Sequence, residues 1–587
     1  MRYIKDMSVP ASAVKSIEGF KYTVQNGKGG GDTLLSAVNI SDRRYPLVYP
    51  RARRAVLSMY AGVSELMVDD NTVRIENGSL FVDDKRLFEG LFPEQLSSRL
   101  IRLGEFYVAM PQGLYCKVGN VEDNGFIAKS FSFLQSGVEI ATVDSGFDEM
   151  TEYTVMATKP PAAEEGQLWA KPREDGGFEM KRYDGYDWRP YESYVMIKSP
   201  SLGKAFRPGD ILECTGAEDV LGKHIRVAHS DANGIYFEGV VPLAEQAAYF
   251  SIKRSIPFLQ QVTVCGGRAV GVYCGYNDEG GFLSKAYASA LNDPLCWSEQ
   301  GGALSADIGG DEPFTAIVSL GGDVYAFRES SIVRLRISGD KITASLIECE
   351  GVKPSARRSV VAIGNRIYYK GASGIYAFDG AQIKRIPNPF GKRVFDGENG
   401  TPAGAYNGSY YVCLSDEKGE RKIYVYSTER GIWSTEDDPG VKSFLQHGPS
   451  LLAICKDGEN TALVIWDHEN ADEELLKRFT KDGYPSVEGP VKWSIETGEI
   501  PIDVKNGAFP ARVFLKARIE AGASVSAGCI SAGKSMLERI VTVSDRTDGY
   551  FEIPMLASCG QAVRLTVFGR GNAEISGCDV EYREPKA

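Results

Sequence analysis

Apolar and aromatic residues in this chain come in short alternating runs, and glycine punctuates them. The pattern is clearest between residues 314 and 455. There Gly321-Gly-Asp-Val-Tyr-Ala-Phe327, Gly364-Asn-Arg-Ile-Tyr-Tyr-Lys370, Asn407-Gly-Ser-Tyr-Tyr-Val-Cys413 and Gly448-Pro-Ser-Leu-Leu-Ala-Ile-Cys455 repeat one theme. The turn glycines Gly322, Gly364, Gly408 and Gly448 stand 42, 44 and 40 residues apart. Glycine accepts the positive φ of a tight hairpin, and the β-branched and aromatic residues behind it suit a pleated, half-buried surface. A period of roughly 40–50 residues holding about four strands predicts β-propeller blades, each burying its faces against its neighbours.

The same texture appears at 53–142, where Val73–Glu76, Ser79–Val82 and Lys85–Phe88 are joined by Asn77-Gly78 and Asp83-Asp84. Asn-Gly is a strong hairpin signal, so these residues are read as the first blades. Between them and the blades at 251–485, residues 143–250 change character and are read as an inserted small β domain. Beyond 486, six alternating runs predict a C-terminal β-sandwich: Ala511–Ile519, Ser524–Cys529, Glu538–Val543, Gly549–Ile553, Ala562–Phe568 and Ala573–Tyr582. Residues 1–52 have no period and are read as an extended N-terminal strap. The best short helix candidate is Asp467–Phe479, acidic at its start and basic at its end. The predicted fold is all-β: a β-propeller with an inserted small β domain and a C-terminal β-sandwich.

Composition changes this picture little. The chain has 587 residues, 43% of them hydrophobic, with 64 glycines and 29 tyrosines. No apolar run is long enough to form a transmembrane helix, so no membrane segment is expected. Eleven scattered cysteines without Cys-x-x-Cys spacing suggest reduced thiols and synthesis in a cytosol. A formal charge of −12 disfavours gripping nucleic acid through its phosphates, but is compatible with DNA sliding past.

Candidate chemistry is thin. Gly528-Cys-Ile-Ser-Ala-Gly-Lys-Ser535 matches the letters of a P-loop, which needs a helix after it and a parallel sheet around it. Here strand texture resumes at once, so a hairpin turn is expected. Four separate histidines and turn-borne acidic pairs yield no metal or acid–base constellation. No cofactor, metal or catalytic residue is therefore assigned, and the chain is expected not to be an enzyme. Two residue sets remain as candidate contacts. Tyr183, Tyr186, Trp188 and Tyr191 form either a carbohydrate- or partner-binding platform or the core of a small domain. Arg43, Arg44, Arg51, Arg53 and Arg54 on the strap either meet an anionic partner or pair with acidic neighbouring surface.

Several of these segments carry a family resemblance. The run Gly351–Gly380, closing on Gly374-Ile-Tyr-Ala-Phe-Asp-Gly380, resembles a blade of tail-associated β-propeller proteins from tailed bacteriophages and prophages. So do Val324–Leu335, Leu100–Tyr115 and Asn292-Asp-Pro-Leu-Cys-Trp297, in the same order. The resemblance implies a structural virion protein made in the bacterial host cytoplasm. It would belong to a homo-oligomeric, ring-like nozzle or hub of the tail or neck around the DNA path, among other tail or neck proteins. It supplies no catalytic residues. Two alternatives are a receptor-binding or glycan-processing propeller of a phage tail and a Kelch-type cellular scaffold, whose regular double-glycine and tryptophan signature is missing.

Overall fold

The computed structural model describes residues 13–583, apart from 23–29, 93–98, 175, 243–246, 279, 388–393, 396–399, 417–418, 481–482, 484, 502–508, 532–533, 536–538, 543–544 and 554–561. The chain is all-β, a β-propeller with an inserted small β domain and a C-terminal β-sandwich. It divides into two compact units: Met1–Gly90 with Phe327–Ile332 and Glu348–Ala587, and Leu91–Ala326 with Val333–Ile347.

In the first unit, blade sheets are antiparallel meanders. Val63–Val68, Thr72–Glu76, Ser79–Val82 and Lys85–Phe88 make one. Val361–Ile363, Arg366–Lys370, Ile375–Phe378 and Ile383–Arg385 make another, and Ala403–Tyr406, Ser409–Asp416, Arg421–Ser427 and Ile432–Asp437 a third. The expected turn glycines Gly322, Gly364, Gly408 and Gly448 all have positive φ, between 53° and 85°. Asn77 and Gly78 also have positive φ, and the hairpin pairs Glu76 with Ser79 across them. Each turn thus takes its shape from the residue that tolerates it.

One blade draws its fourth strand from far away in the chain. Val441–His447, Ser450–Asp457 and Asn460–Ile465 are completed by Ala55–Tyr60, with Thr461 opposite Tyr60 and Ile465 opposite Ala55. Apolar residues of both parts share a core: Ala55 and Leu57 pack with Leu452, Ile454, Leu463 and Ile465. This closing strand was expected to be an ordinary member of the first blades.

The expected strap is likewise structured. Ala13–Glu18 is an edge strand on Ala573–Arg583, in the sandwich sheet that continues through Phe509–Ile519 to Thr547–Ile553. Leu34–Val38 pairs antiparallel with Lys492–Thr497 of the other sandwich sheet and meets Thr435, in a blade strand, through Val38. The sandwich core therefore mixes Ile17, Phe20, Tyr22 and Leu34 with Val513, Leu515, Leu565, Val567 and Val580. The six expected sandwich strands are present at Phe509–Ile519, Ser524–Ser531, Arg539–Thr542, Thr547–Ile553, Ala562–Arg570 and Ala573–Arg583. The helix is shorter than expected, Glu473–Arg478, because Asp472 caps it by accepting from Glu474 N at 3.0 Å.

In the second unit, Arg99–Leu103, Phe106–Met110, Leu114–Lys117 and Asn120–Phe126 form one blade sheet, and Gln261–Cys265, Arg268–Tyr276, Phe282–Ala288 and Leu304–Asp307 another. The insert begins with Lys129–Ser132 and ends with Ser251–Arg254, which pair with each other in an eight-stranded sheet. It is therefore wider than the expected 143–250. The alternation of Lys129-Ser-Phe-Ser132 matches that of a blade strand, so pattern alone could not separate the two. A second insert sheet contains Thr154–Val155, Leu168–Pro172, Phe178–Tyr183 and Trp188–Pro190.

Candidate functional site

All five strap arginines find carboxylates of their own chain. Arg51 makes a two-pronged contact to Glu488, at 2.7 and 2.9 Å, and reaches Asp437 at 3.0 Å. Arg54 donates to Glu436 at 2.7 Å, and its guanidinium lies 3.9 Å from the centre of the Trp466 ring. Trp466 Nε1 donates to the same Glu436 oxygen at 3.1 Å. Both guanidinium side chains and the Glu436 carboxylate are about 5% exposed. Burial pulls Arg51 down, yet the carboxylates of Glu488, Glu436 and Asp437 hold it above its ordinary range. Burial likewise raises the Asp437 carboxyl, but Arg54 and Arg51 outweigh it and hold it low. Arg43 pairs with buried Asp467 and donates to Tyr406 at 3.0 Å. Arg53 and Arg44 make more exposed pairs with Glu469 at 3.1 Å and Glu574 at 2.7 Å. Of the two expectations for these arginines, the acidic-surface one describes their surroundings. Buried pairs of this kind cost desolvation on both sides and hold only when the geometry satisfies them. This clasp seats the chain just before the closing strand Ala55–Tyr60.

The aromatic cluster of the insert does not form one platform. Tyr183 and Trp188 face each other across a hairpin, 5.5 Å between ring centres, and Trp188 meets Trp169 edge-on at 5.4 Å. Trp188 is thereby 7% exposed. Tyr191 packs against the small core of Ala170, Met180 and Val240. Tyr186 alone of the four stands out, 92% exposed. Its turn is held by Asp184, whose carboxylate accepts from Tyr186 N at 2.9 Å, Asp187 N at 2.7 Å and Arg189 Nε at 3.2 Å. The two backbone donors and then Arg189 bring the Asp184 carboxyl down to about 2.

The run that carries the family resemblance is a carboxylate cradle. Glu350 accepts from Ser373 N, from Ser373 Oγ at 2.6 Å and from Tyr376 OH at 3.0 Å. A Cβ on Gly371 would lie 2.6 Å from that carboxylate, and one on Gly351 would lie 2.0 Å from Arg328 O. The Gly-Ala-Ser-Gly-Ile-Tyr run at 371–376 is thus explained by what it encloses. Sequence reasoning missed Glu350, although it lies immediately before the quoted run. Burial raises its carboxyl, but the Ser373 and Tyr376 donors outweigh that and hold it below its ordinary 4.5. Its stabilising effect is then fully present above that ordinary value and fades as the pH falls through the folded one. Replacing it, Glu350→Gln, is expected to narrow the stability gap to the parent as the pH drops below 4.5, read as unfolding midpoints across a pH series.

In the second unit, Arg254 fixes the insert at its exit. It is 3% exposed, pairs with Asp210 at 2.6 Å and donates to Ile127 O at 2.7 Å at the entry. Arg207 stacks near Phe106 and Tyr115, 5.0 and 4.7 Å from their ring centres.

At the P-loop match, Ser524–Ser531 turns back on itself: Lys534–Ser535 pairs antiparallel with it, Ile530 opposite Ser535. The run is a hairpin and not the strand-to-helix turn of a nucleotide site. Burial pushes the Cys529 and Cys578 thiols up to about 12, which leaves them protonated at neutral pH. Among the described residues no group of His, Cys, Asp or Glu side chains is placed to hold a metal ion, and no helix is long and apolar enough to cross a membrane.

No family model and no curated protein matches the chain. Among solved structures it is similar to the exo-β-1,3-galactanase of Phanerochaete chrysosporium, at 9% identity over 77% of this chain and 100% of that one, TM-score 0.18. It is also similar to a family 43 arabinoxylan arabinofuranohydrolase from Bacillus subtilis, at 11% identity over 55% and 95% of the two chains, TM-score 0.18. A third is the Trypanosoma rangeli sialidase, at 9% identity over 61% and 94%, TM-score 0.17. All three are named as glycosidases, against the expectation that the chain is not an enzyme. That expectation is withdrawn, and TM-scores of this size assign no activity in its place.

Proposed function

We propose that the chain is a structural component of a tailed-phage particle, one wedge of a ring-like tail or neck assembly around the DNA path. The observation that carries this reading is the double seating of the N-terminal segment. It completes a blade through Ala55–Tyr60 and both sandwich sheets through Ala13–Glu18 and Leu34–Val38. A buried ionic clasp joins these two engagements. Such cross-bracing suits a part that must keep its shape under load from its neighbours. The resemblance of Gly351–Gly380 to phage tail propellers supports the same reading. In the second unit, Tyr276 and Phe282 face each other across a hairpin at 5.3 Å, 71% and 46% exposed, an aromatic surface of the sort that protein interfaces cover.

Electron microscopy and mass photometry of the purified chain test the proposal. Closed rings of several copies are expected, with weaker assembly in the double variant Tyr276→Ser, Phe282→Ser. A protein that stays monomeric at every concentration and is missing from purified particles would sink the idea.

A further inference from the structure

We propose that the joint between the insert and the blade Arg99–Phe126 binds a small inorganic anion, held between Lys129 and Arg207. The site lies within the second unit and stands whether or not the chain forms rings. Five charged side chains act on one another there: Lys129, Arg207 and Arg254 against Asp123 and Asp210. Three cations face two carboxylates, so the joint carries one positive charge in excess.

The pairing leaves that excess on two residues. Arg254 takes Asp210 at 2.6 Å and the carbonyls of Ile127 and Phe126 at 2.7 and 3.4 Å. Asp210 also accepts from the Arg207 backbone N at 2.9 Å. The Arg207 guanidinium is left with Asp123 at 3.4 Å, longer than a good charge-assisted bond, and its Nη2 is buried with no hydrogen-bond partner. Lys129 donates to Ala205 O at 2.9 Å, and among the described residues no carboxylate pairs with it. An ammonium has three donors, so part of its capacity is unused.

Tyr115 gathers the two cations. The Arg207 guanidinium lies 4.7 Å from its ring centre, with the Phe106 ring at 5.0 Å. A Cβ on Gly125 would lie 3.5 Å from Tyr115 OH and 3.6 Å from Lys129 Nζ, so glycine puts no side chain between them. Ring faces attract a guanidinium but leave its charge in place. Burial pushes the Lys129 ammonium below its ordinary 10.5, and Arg254 and then Arg207 push it the same way, outweighing Asp210 and Asp123. An anion here would take up the spare donors and cancel the excess charge. With two rings and a backbone carbonyl beside those donors, a compact ion such as chloride or phosphate suits the joint and a bulky organic anion does not.

Hydrogen exchange of the full chain tests this, with sodium chloride or sodium phosphate titrated against sodium gluconate at constant ionic strength. Exchange in Lys129–Ser132 and Ser251–Arg254 is expected to slow and then level off. The slowing should reach about tenfold once either ion stands roughly tenfold above its dissociation constant. Lys129→Met should abolish this response. Lys253→Met, which removes an exposed partner of Glu213 on the neighbouring strand, should keep it. The chloride NMR line should broaden with the parent and not with Lys129→Met, a readout that does not depend on stability. The proposal falls if gluconate protects as well as both inorganic ions, if Lys129→Met keeps the response, or if Lys253→Met loses it equally.

Discussion

Replacing Arg54 with alanine is expected to cost about 3–5 kcal/mol of stability, the scale for breaking a buried ion pair by removing one partner. The loss exceeds that of an ordinary surface pair because of what stays behind. Glu436 is 4% exposed, and without Arg54 it keeps the Trp466 indole as its close donor and the Arg51 guanidinium only at 4.0 Å. The guanidinium also leaves the face of Trp466 and gives up its bond to Asp437 O at 3.1 Å. Arg54→Lys should recover little, since an ammonium cannot both stack and fork in this way. Exposed Arg53, 44% exposed at its side chain, provides the contrast: Arg53→Ala should change stability by under about 1 kcal/mol. Hydrogen exchange checks the mechanism as well as the size. Protection should fall first in Ala55–Tyr60 and its partner Asn460–Ile465, because the clasp seats that closing strand. If Arg54→Ala and Arg53→Ala prove equally mild, the clasp does not hold the strand.

Arg254→Ala is expected to be comparably damaging in the other unit, again about 3–5 kcal/mol. Asp210, 8% exposed, would lose its charge partner, and Ile127 O would lose the donor that satisfies it. Asp210 would keep only the backbone N–H of Arg207, at 2.9 Å. The break lies where the chain enters and leaves the insert. Exchange should therefore quicken in Lys129–Ser132 and Ser251–Arg254, while the blade Arg99–Phe126 keeps its protection. Removing both charges in Arg254→Met, Asp210→Leu should recover part of the loss, because no lone buried charge remains. A double variant as unstable as the single one would show that packing, and not the stranded carboxylate, sets the cost.

Local signals were read well from the sequence, and distant partnerships were not. Gly364, Gly408 and Gly448 announce their hairpins because positive φ is a property of one residue and its neighbour. The six sandwich strands are likewise visible in alternation alone. Ala55–Tyr60 is legible as a strand, but nothing in its pattern says that Asn460–Ile465, four hundred residues later, will pair with it. The same holds for Leu34–Val38, whose apolar run carries no address. For the candidate contacts, charge complementarity foretold that the strap arginines would want carboxylates, and left open whose. Side-chain direction decided the aromatic set: Trp188 turns inward opposite Tyr183, whereas Tyr186 sits at the turn and points away from any core. Glu350 stayed hidden because a single glutamate has no periodicity, and only the donors folded around it reveal it.

The strand Leu34–Val38 has a mechanical consequence. It lies between a sandwich strand and a blade strand: Ser36, Ala37 and Val38 are opposite Glu496, Ile495 and Ser494, while Asn39 N donates to Thr435 O at 2.7 Å. Thr435 Oγ1 returns a bond to Ala37 O at 2.9 Å, and Asn39 Nδ2 reaches Lys492 O at 2.8 Å. Sandwich and blade are therefore laced through one short piece of backbone. Tension along that strand would be shared by these bonds together, as in a lap joint, instead of opening them one after another like a zipper. A pull at right angles would find only the few bonds at Thr435 and the one from Asp437 N to Asn39 Oδ1 at 3.0 Å. The joint between sandwich and blade should thus be stiff in one direction and yielding in another, with Thr435 the place where it gives first.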